Sequence, residues 1–251
     1  MRVTFTDIAS LGWTPVAVVL GLIVVTILSG ILFSRLFGRR LRFGLLTGSA
    51  VAICGASAAL AVSSVLRKDE RLERDTLFTV ITVTMLSTLA MIAYPIIFRV
   101  AGYDDVTAGA LIGATIHDVA QVVGAGYSIS PEAGDIATYI KLLRVSALPV
   151  VVIVIALISG SNSSSARSSF PWFALGFAFT LTVNSLGLIP ELLRSFLDSV
   201  SGWLLVAAIS ALGIRTSLKA MIELGPLHLM VIVAETVFLF GLAIYAWTFL
   251  V

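Results

Sequence analysis

Between Leu11 and Ser34 the chain carries no ionisable side chain for about 24 residues. That is longer than the apolar core of a secretory signal, and no Ala-x-Ala cleavage pattern follows it, so the run is expected to stay in a bilayer. A hydrocarbon core of roughly 30 Å takes about 20 helical residues, because lipid offers no partner to a free N–H or C=O and a helix pairs its own. Eight apolar segments of that size can be marked: Pro15 to Phe37, Phe43 to Leu66, Thr76 to Phe98, Val106 to Ser130, Ile136 to Ile158, Phe170 to Pro190, Phe196 to Ile214 and Pro226 to Val251. They are continuously apolar rather than alternating with period two, which excludes a transmembrane barrel. The sequence predicts an all-α, polytopic membrane protein in which residues 1–251 form a single transporter-like domain. Composition agrees, since 59% of the chain is apolar and only 12% charged. A formal charge of +2 is too small a basic excess for a nucleic-acid partner. One cysteine, Cys54, makes neither an internal disulfide nor a thiolate metal site, and His117 and His228 are too few for a histidine cluster, so neither a metal nor another cofactor is expected.

Two of the eight segments differ from the rest. Phe43 to Leu66 is more than half Gly, Ala or Ser, and Val106 to Ser130 holds Gly109, Gly113, Gly124 and Gly126. Small residues allow tight helix packing, but glycine also weakens a helix, so a pair of broken or re-entrant helices is the alternative. Loop charges help to choose. If every segment crosses, and Arg35, Arg39, Arg40 and Arg42 are cytoplasmic, the loop basic residues divide 8 inside against 6 outside. If the two glycine-rich segments enter and leave on one side, Arg67, Lys68, Arg71 and Arg74 move inside, Arg99 moves out, and the division becomes 11 against 3. The positive-inside rule favours the second arrangement.

An internal repeat points the same way. Met1 to Gly12 aligns without gaps on Ile214 to Gly225, pairing Arg2 with Arg215, Thr4 with Ser217, Phe5 with Leu218, Ile8 with Met221 and Leu11-Gly12 with Leu224-Gly225. A long apolar helix follows each copy, and the order of segments leaves those helices antiparallel, which predicts an inverted-topology repeat. The second copy is preceded by a membrane helix and the first is not, so the first repeat is expected to be incomplete.

Ionisable residues at bilayer depth are costly and suggest a site. In Gly113 to Gly126, His117 and Gln121 are four apart and share one face of a helix, with Asp118 about a hundred degrees away. Lys141 and Arg144 share a face of the next segment. They are expected either to snorkel to the headgroups, or to leave one cation paired with Asp118 and the other free to attract an anion. Glu235 reads either as a buried structural acid or as a proton-coupling group. Asn184-Ser185 suggests an interhelical hydrogen bond, and the Thr and Ser residues of Thr79 to Thr88 suggest back-bonding to helix carbonyls. A helix restarting near Gly55 would aim its positive end and the Ser57 hydroxyl into the break, a setting that suits an anion. His-Asp pairs also occur in phosphohydrolase metal motifs, but no further His and Asp ligands accompany this one, so an enzyme is not expected.

The blocks Ile53-Cys-Gly-Ala-Ser-Ala58, Gly113-Ala-Thr-Ile-His-Asp-Val-Ala-Gln-Val-Val123, Gly134-Asp135 and Lys141-Leu-Leu-Arg-Val145, in that order and spacing, resemble the YeiH-type family of bacterial membrane proteins named as sulfate exporters. The resemblance covers essentially the whole chain. It implies a multi-pass secondary transporter of the bacterial inner membrane, related to the cation/proton antiporter and anion transporter group, with inverted repeats and broken helices. Its partners would be the lipid bilayer and sulfate or a related small inorganic or organosulfur anion, and a homodimer is one assembly open to it. Family members look longer at the N-terminus, the same gap that the repeat exposes.

Together these readings predict substrate binding by Gly55, Ser57, His117, Gln121, Lys141 and Arg144, with Asp118 and His117 as charge-pairing and coupling groups. The alternatives are a proton-coupled cation antiporter with Asp118 as carrier, and a non-transporting membrane subunit or remnant.

Overall fold

The computed structural model describes residues 13–159 and 226–251, with scattered positions between 179 and 203. The segments Phe170 to Pro190 and Phe196 to Ile214 fall largely outside the described residues, as do both copies of the repeat and Asn184-Ser185. Helices number in chain order as α1 (Trp13–Leu36), α2 (Leu41–Ala52), α3 (Ala56–Val65), α4 (Glu70–Val100), α5 (Asp105–Thr115), α6 (Val119–Ile129), α7 (Pro131–Ser146), α8 (Leu148–Ile158) and α9 (Pro226–Leu250). Among the described residues, Trp13–Leu36, Glu70–Val100, Pro131–Ile158 and Leu227–Leu250 are long and apolar enough to cross a bilayer. The third of these is α7 and α8 end to end. Pro149 lies in the first turn of α8, where the N–H it lacks has no helical acceptor in any case.

Each glycine-rich segment is two short helices around a break. α2 runs toward the protein centre and stops at Ala52, and α3 starts at Ala56. Both outer ends lie together, because Arg42, in the first turn of α2, donates to the Arg67 carbonyl at 3.4 Å and meets the Asp69 carboxylate at 3.5 Å, just past the end of α3. The segment is therefore a re-entrant hairpin. The second behaves in the same way from the opposite side. A Cβ on Gly109 would meet the Ala133 carbonyl oxygen at 2.5 Å, and one on Gly113 would meet the Ile140 side chain at 2.9 Å, so α5 ascends parallel to α7. A Cβ on Gly126 would lie 2.9 Å from Gly134 Cα, and Arg99 donates to the Ile129 carbonyl at 3.3 Å, so α6 descends to the level where α5 began.

α4 joins the two entry levels. Arg39, Arg40, Arg42, Arg67, Lys68, Arg71 and Arg74 gather at its N-terminal end, and Arg99 lies at the other, the asymmetry of loop charge expected for re-entrant segments. α9 runs parallel to α4, with His228 3.3 Å from Asp75 at one end and Phe240 stacked on Phe98 toward the other. α1 ends beside the start of α2 and so runs opposite to α9.

Small residues bring these backbones together where water-driven association is absent. α1 and α2 touch through Gly30, Gly44 and Gly48, and a Cβ on Gly44 would sit 2.6 Å from the Gly30 carbonyl oxygen. α4 begins with Asp69 accepting from Leu72 N at 2.7 Å, the N-cap arrangement that satisfies a free helical N–H. Threonines 76, 79, 84 and 88 bond back to the carbonyl one turn earlier, which lets a polar stripe sit in an apolar helix.

Two measurements check this topology. With Cys54 replaced by Ala, single cysteines at Arg40 and Lys68 should both react with a membrane-impermeant maleimide from one face, and cysteines at Tyr103 and Ser130 from the other. Labelling of Arg40 and Lys68 positions from opposite faces would contradict the hairpin. Gly109→Val forces side-chain carbon into the Ala133 backbone and should cost about 1–3 kcal/mol, visible as a lowered melting temperature in nanodiscs.

Candidate functional site at the hairpin tips

The tips of the two hairpins meet in the middle of the protein. The chain turns through Ile53, Cys54 and Gly55, where Gly55 has φ 63° and ψ −120°, a conformation costly for a residue with a Cβ. An added Cβ there would make ordinary contact with His117 Cβ at 3.4 Å, so the constraint on this position is the backbone conformation. On the other tip Ile116 and Asp118 are extended, with ψ 137° and ψ 139°, so His117 lies between helices rather than in one.

Helices that stop inside a membrane leave carbonyls without partners and a partial negative charge at each end. Lys141 and Arg144 satisfy them. Lys141 Nζ donates to the carbonyls of Ile53 (2.6 Å), Ile116 (2.9 Å) and His117. Arg144 donates from Nε to Ala52 O at 2.9 Å and from its terminal nitrogens to Val51 O at 2.7 Å, Gly113 O at 3.1 Å and Ile116 O at 3.2 Å. Both side chains are buried, at 0% and 1% exposure, so the cations do not snorkel. Hydrogen bonds to a charged group contribute about 1.5–3 kcal/mol each, so three or four of them outweigh the ~2.5–3.5 kcal/mol of placing the cation at bilayer depth.

Asp118 does not form the expected ion pair with either cation. Its carboxylate accepts from Ala120 N at 2.9 Å and Gln121 N at 3.4 Å, capping α6, while its own N–H donates to Ser87 Oγ at 3.0 Å. The physical reason is that α6 begins at Val119, which makes Asp118 a cap with its own backbone donors close by. His117 and Gln121 are not on a shared helical face either, because the helix of α5 has ended before His117. The imidazole turns to α2 and α9, with Nδ1 3.2 Å from Val51 O and Nε2 3.1 Å from Thr236 Oγ1. Val51 O only accepts, so Nδ1 carries a proton. Gln121 turns to α4, donating to Thr88 Oγ1 at 2.8 Å, and its buried Oε1 has no partner among the described residues.

The start of α3 differs from that of α6. Gly55 offers no side-chain cap; the Cys54 thiol lies against the Ala58 N–H, and the N–H groups of Ala56 and Ser57 are left for another acceptor. Ser57 is exposed on the first turn rather than turned toward His117. Beside it a cavity of about 870 Å³ lies between α3 and α4, reaching from Ala56 past Leu60, Ser63 and Thr76 to Lys68 and Glu73 on the basic side.

Residues 1–232 match the conserved hypothetical protein 698 family. The chain belongs to that family. It is 50% identical over 244 residues to a UPF0324 membrane protein of Chlorobaculum tepidum, covering 95% of this chain and 68% of the relative. It is 47% identical to the UPF0324 membrane protein TauZ of Paracoccus denitrificans (95% and 72% covered) and 44% identical to a UPF0324 membrane protein of Rhizobium meliloti (95% and 71%). This agrees with the YeiH-type resemblance, and the family's members are membrane proteins by name. No solved structure matches the chain.

Sequence reasoning missed Ser87 and Thr236. Ser87 Oγ receives the N–H groups of both His117 (3.2 Å) and Asp118, holding the second tip against α4. Its only signal was a place in a run of Thr and Ser whose other members mostly bond to their own helix. Thr236 follows Glu235 in an apolar stretch and gave no signal.

Replacing Lys141 by Met leaves the Ile53 and His117 carbonyls without this donor, at about 1–3 kcal/mol each, while Ile116 O keeps Arg144. Lys141→Met and Arg144→Met should therefore each lower the melting temperature far more than Asp118→Asn, which keeps an N-cap; thermal shift in detergent reads the difference. Gly55→Ala should destabilise by about 1–3 kcal/mol through backbone strain.

Proposed function

We propose that the chain is a secondary transporter of the bacterial inner membrane that exports sulfate or a related small sulfur-containing anion, and not an enzyme. The carrying observation is the start of α3, where Gly55 leaves the N–H groups of Ala56 and Ser57 without a side-chain cap, near the meeting of two hairpin tips and beside the cavity that reaches the basic side. The charge balance favours an anion there. Lys141 and Arg144 contribute two positive charges, the helix ends at the tips contribute about half a charge each in two opposed pairs, and Asp118 removes one, leaving a remainder of about +1. The anion would bind the first N–H groups of α3 near Gly55, with Ser57 on the same turn, while His117 and Gln121 act from the second tip, His117 Cβ facing Gly55 and Gln121 carrying a buried Oε1. Lys141 and Arg144 act on it through their field, because their hydrogen bonds already belong to the tips. The relatives' names as membrane proteins support the coarser part of this reading.

Labelled-sulfate counterflow in proteoliposomes tests the proposal. The full chain should exchange sulfate, and His117→Ala and Gln121→Ala, each still eluting as the parent protein does, should reduce the rate at least tenfold. Sodium-driven proton movement lost in Asp118→Asn, without sulfate exchange, would replace this reading by a cation antiporter. Movement of neither ion by the folded protein would make the chain a non-transporting membrane subunit.

A further inference from the structure

Glu235 lies at bilayer depth on α9 and the proposed anion site does not use it. Its side chain is wholly buried, Oε1 is 2.7 Å from Thr47 Oγ1 on α2, and Oε2 is buried with no hydrogen-bond partner among the described residues. Thr47 Oγ1 is also 3.0 Å from the Phe43 carbonyl one turn back. A hydroxyl has one proton to give. If it goes to Phe43 O, the usual back-bond of a helical threonine, the oxygen facing Glu235 is an acceptor and the carboxyl must supply the proton. If it goes to Glu235, a carboxylate with about four acceptor sites is left with one donor in an apolar interior, which costs far more than holding a proton.

Among the described residues the neighbours offer no charge to change this. α1 faces the carboxyl with Gly30, where an added Cβ would come within 3.0 Å of Oε1, and its charged residue is Arg35 in the last turn. α2 presents Thr47, and its Arg42 is engaged with Asp69 at the surface. On α4, Glu70, Arg71, Glu73, Arg74, Asp75 and Arg99 lie at the two ends, Asp75 beside His228 about two turns before Glu235, and Tyr94 packs on Phe240. α5 carries only Asp105, in its first turn. The titratable group within one contact is His117, through Thr236, while Lys141 and Arg144 are bonded to the tip carbonyls.

We propose that Glu235 is a proton-binding site, holding its proton in this conformation and exchanging it when the junction of α1, α2 and α9 loosens. The next residue, Thr236, touches His117 at the second tip, and Thr47 belongs to the helix that leads to the first. A change at Glu235 therefore reaches the second tip through α9 and the first through α2. The inference draws its purpose from the transport reading, but the proton can be detected without any transport.

Infrared spectroscopy of the full chain in nanodiscs tests it. A carboxylic-acid C=O stretch should be present at neutral pH, absent in Glu235→Gln, and shifted in Thr47→Val, which removes the hydrogen-bond partner. Dicyclohexylcarbodiimide gives an independent readout. The acid adds across one C=N bond, its proton passing to nitrogen and its oxygen bonding the central carbon, and rearrangement then yields an N-acylurea on Glu235. Peptide mass spectrometry should find this adduct at Glu235, declining as pH rises. If Glu235→Gln, with unchanged elution, removes a carboxylate band and no acid band, or if labelling never reaches Glu235, the proposal is overturned. An intact acid band in a protein that moves no sulfate would overturn the anion reading and leave this one standing.

Discussion

Two buried cations hold this fold together by meeting carbonyl oxygens rather than carboxylates. A helix that ends inside a membrane exposes acceptors to a medium with no donors, and two such ends side by side would repel. Lys141 and Arg144 stand on one face of α7, one turn apart, and reach the ends of both α2 and α5. Without them neither hairpin could stop where it does, and the tips could not lie against each other. The glycine contacts between α5, α6 and α7 let α7 approach closely enough for those side chains to reach. Packing and electrostatics are one requirement here.

Around that centre, polar groups are allotted by what each chain break needs. Ser87 takes the N–H groups of the second tip, Asp118 caps the helix that leaves it, and His117 gives one ring proton to the first tip. The start of α3 receives only the Cys54 thiol, at the Ala58 N–H. That asymmetry, more than any single charged residue, distinguishes a place for a guest from a self-satisfied junction.

Much of the architecture was legible in the sequence. Long apolar runs gave the spanning helices, glycine with polar residues marked both breaks, and the crowding of Arg and Lys around Arg39 to Arg74 indicated that the segments return to the side they entered. The roles of particular residues were less so. The pairing of His117 with Gln121 assumed a helix that had already ended at Thr115, because backbone geometry at a break is not carried by residue spacing. The destination of Lys141 and Arg144 was hidden for a related reason. Their partners are main-chain oxygens, which every residue possesses and no sequence pattern singles out. Ser87 was concealed among neighbours of the same type.

The shared guanidinium has a mechanical consequence. Because Arg144 holds Val51 and Ala52 of one tip and Gly113 and Ile116 of the other, the tips cannot swing apart like doors without stripping a buried cation of its acceptors. Any excursion must carry both tips and α7 together as a single block. Where that block lies on α1, the backbones meet closely at Gly30, Gly44 and Gly48, and the bond from Glu235 on α9 to Thr47 on α2 ties the block to a helix outside it.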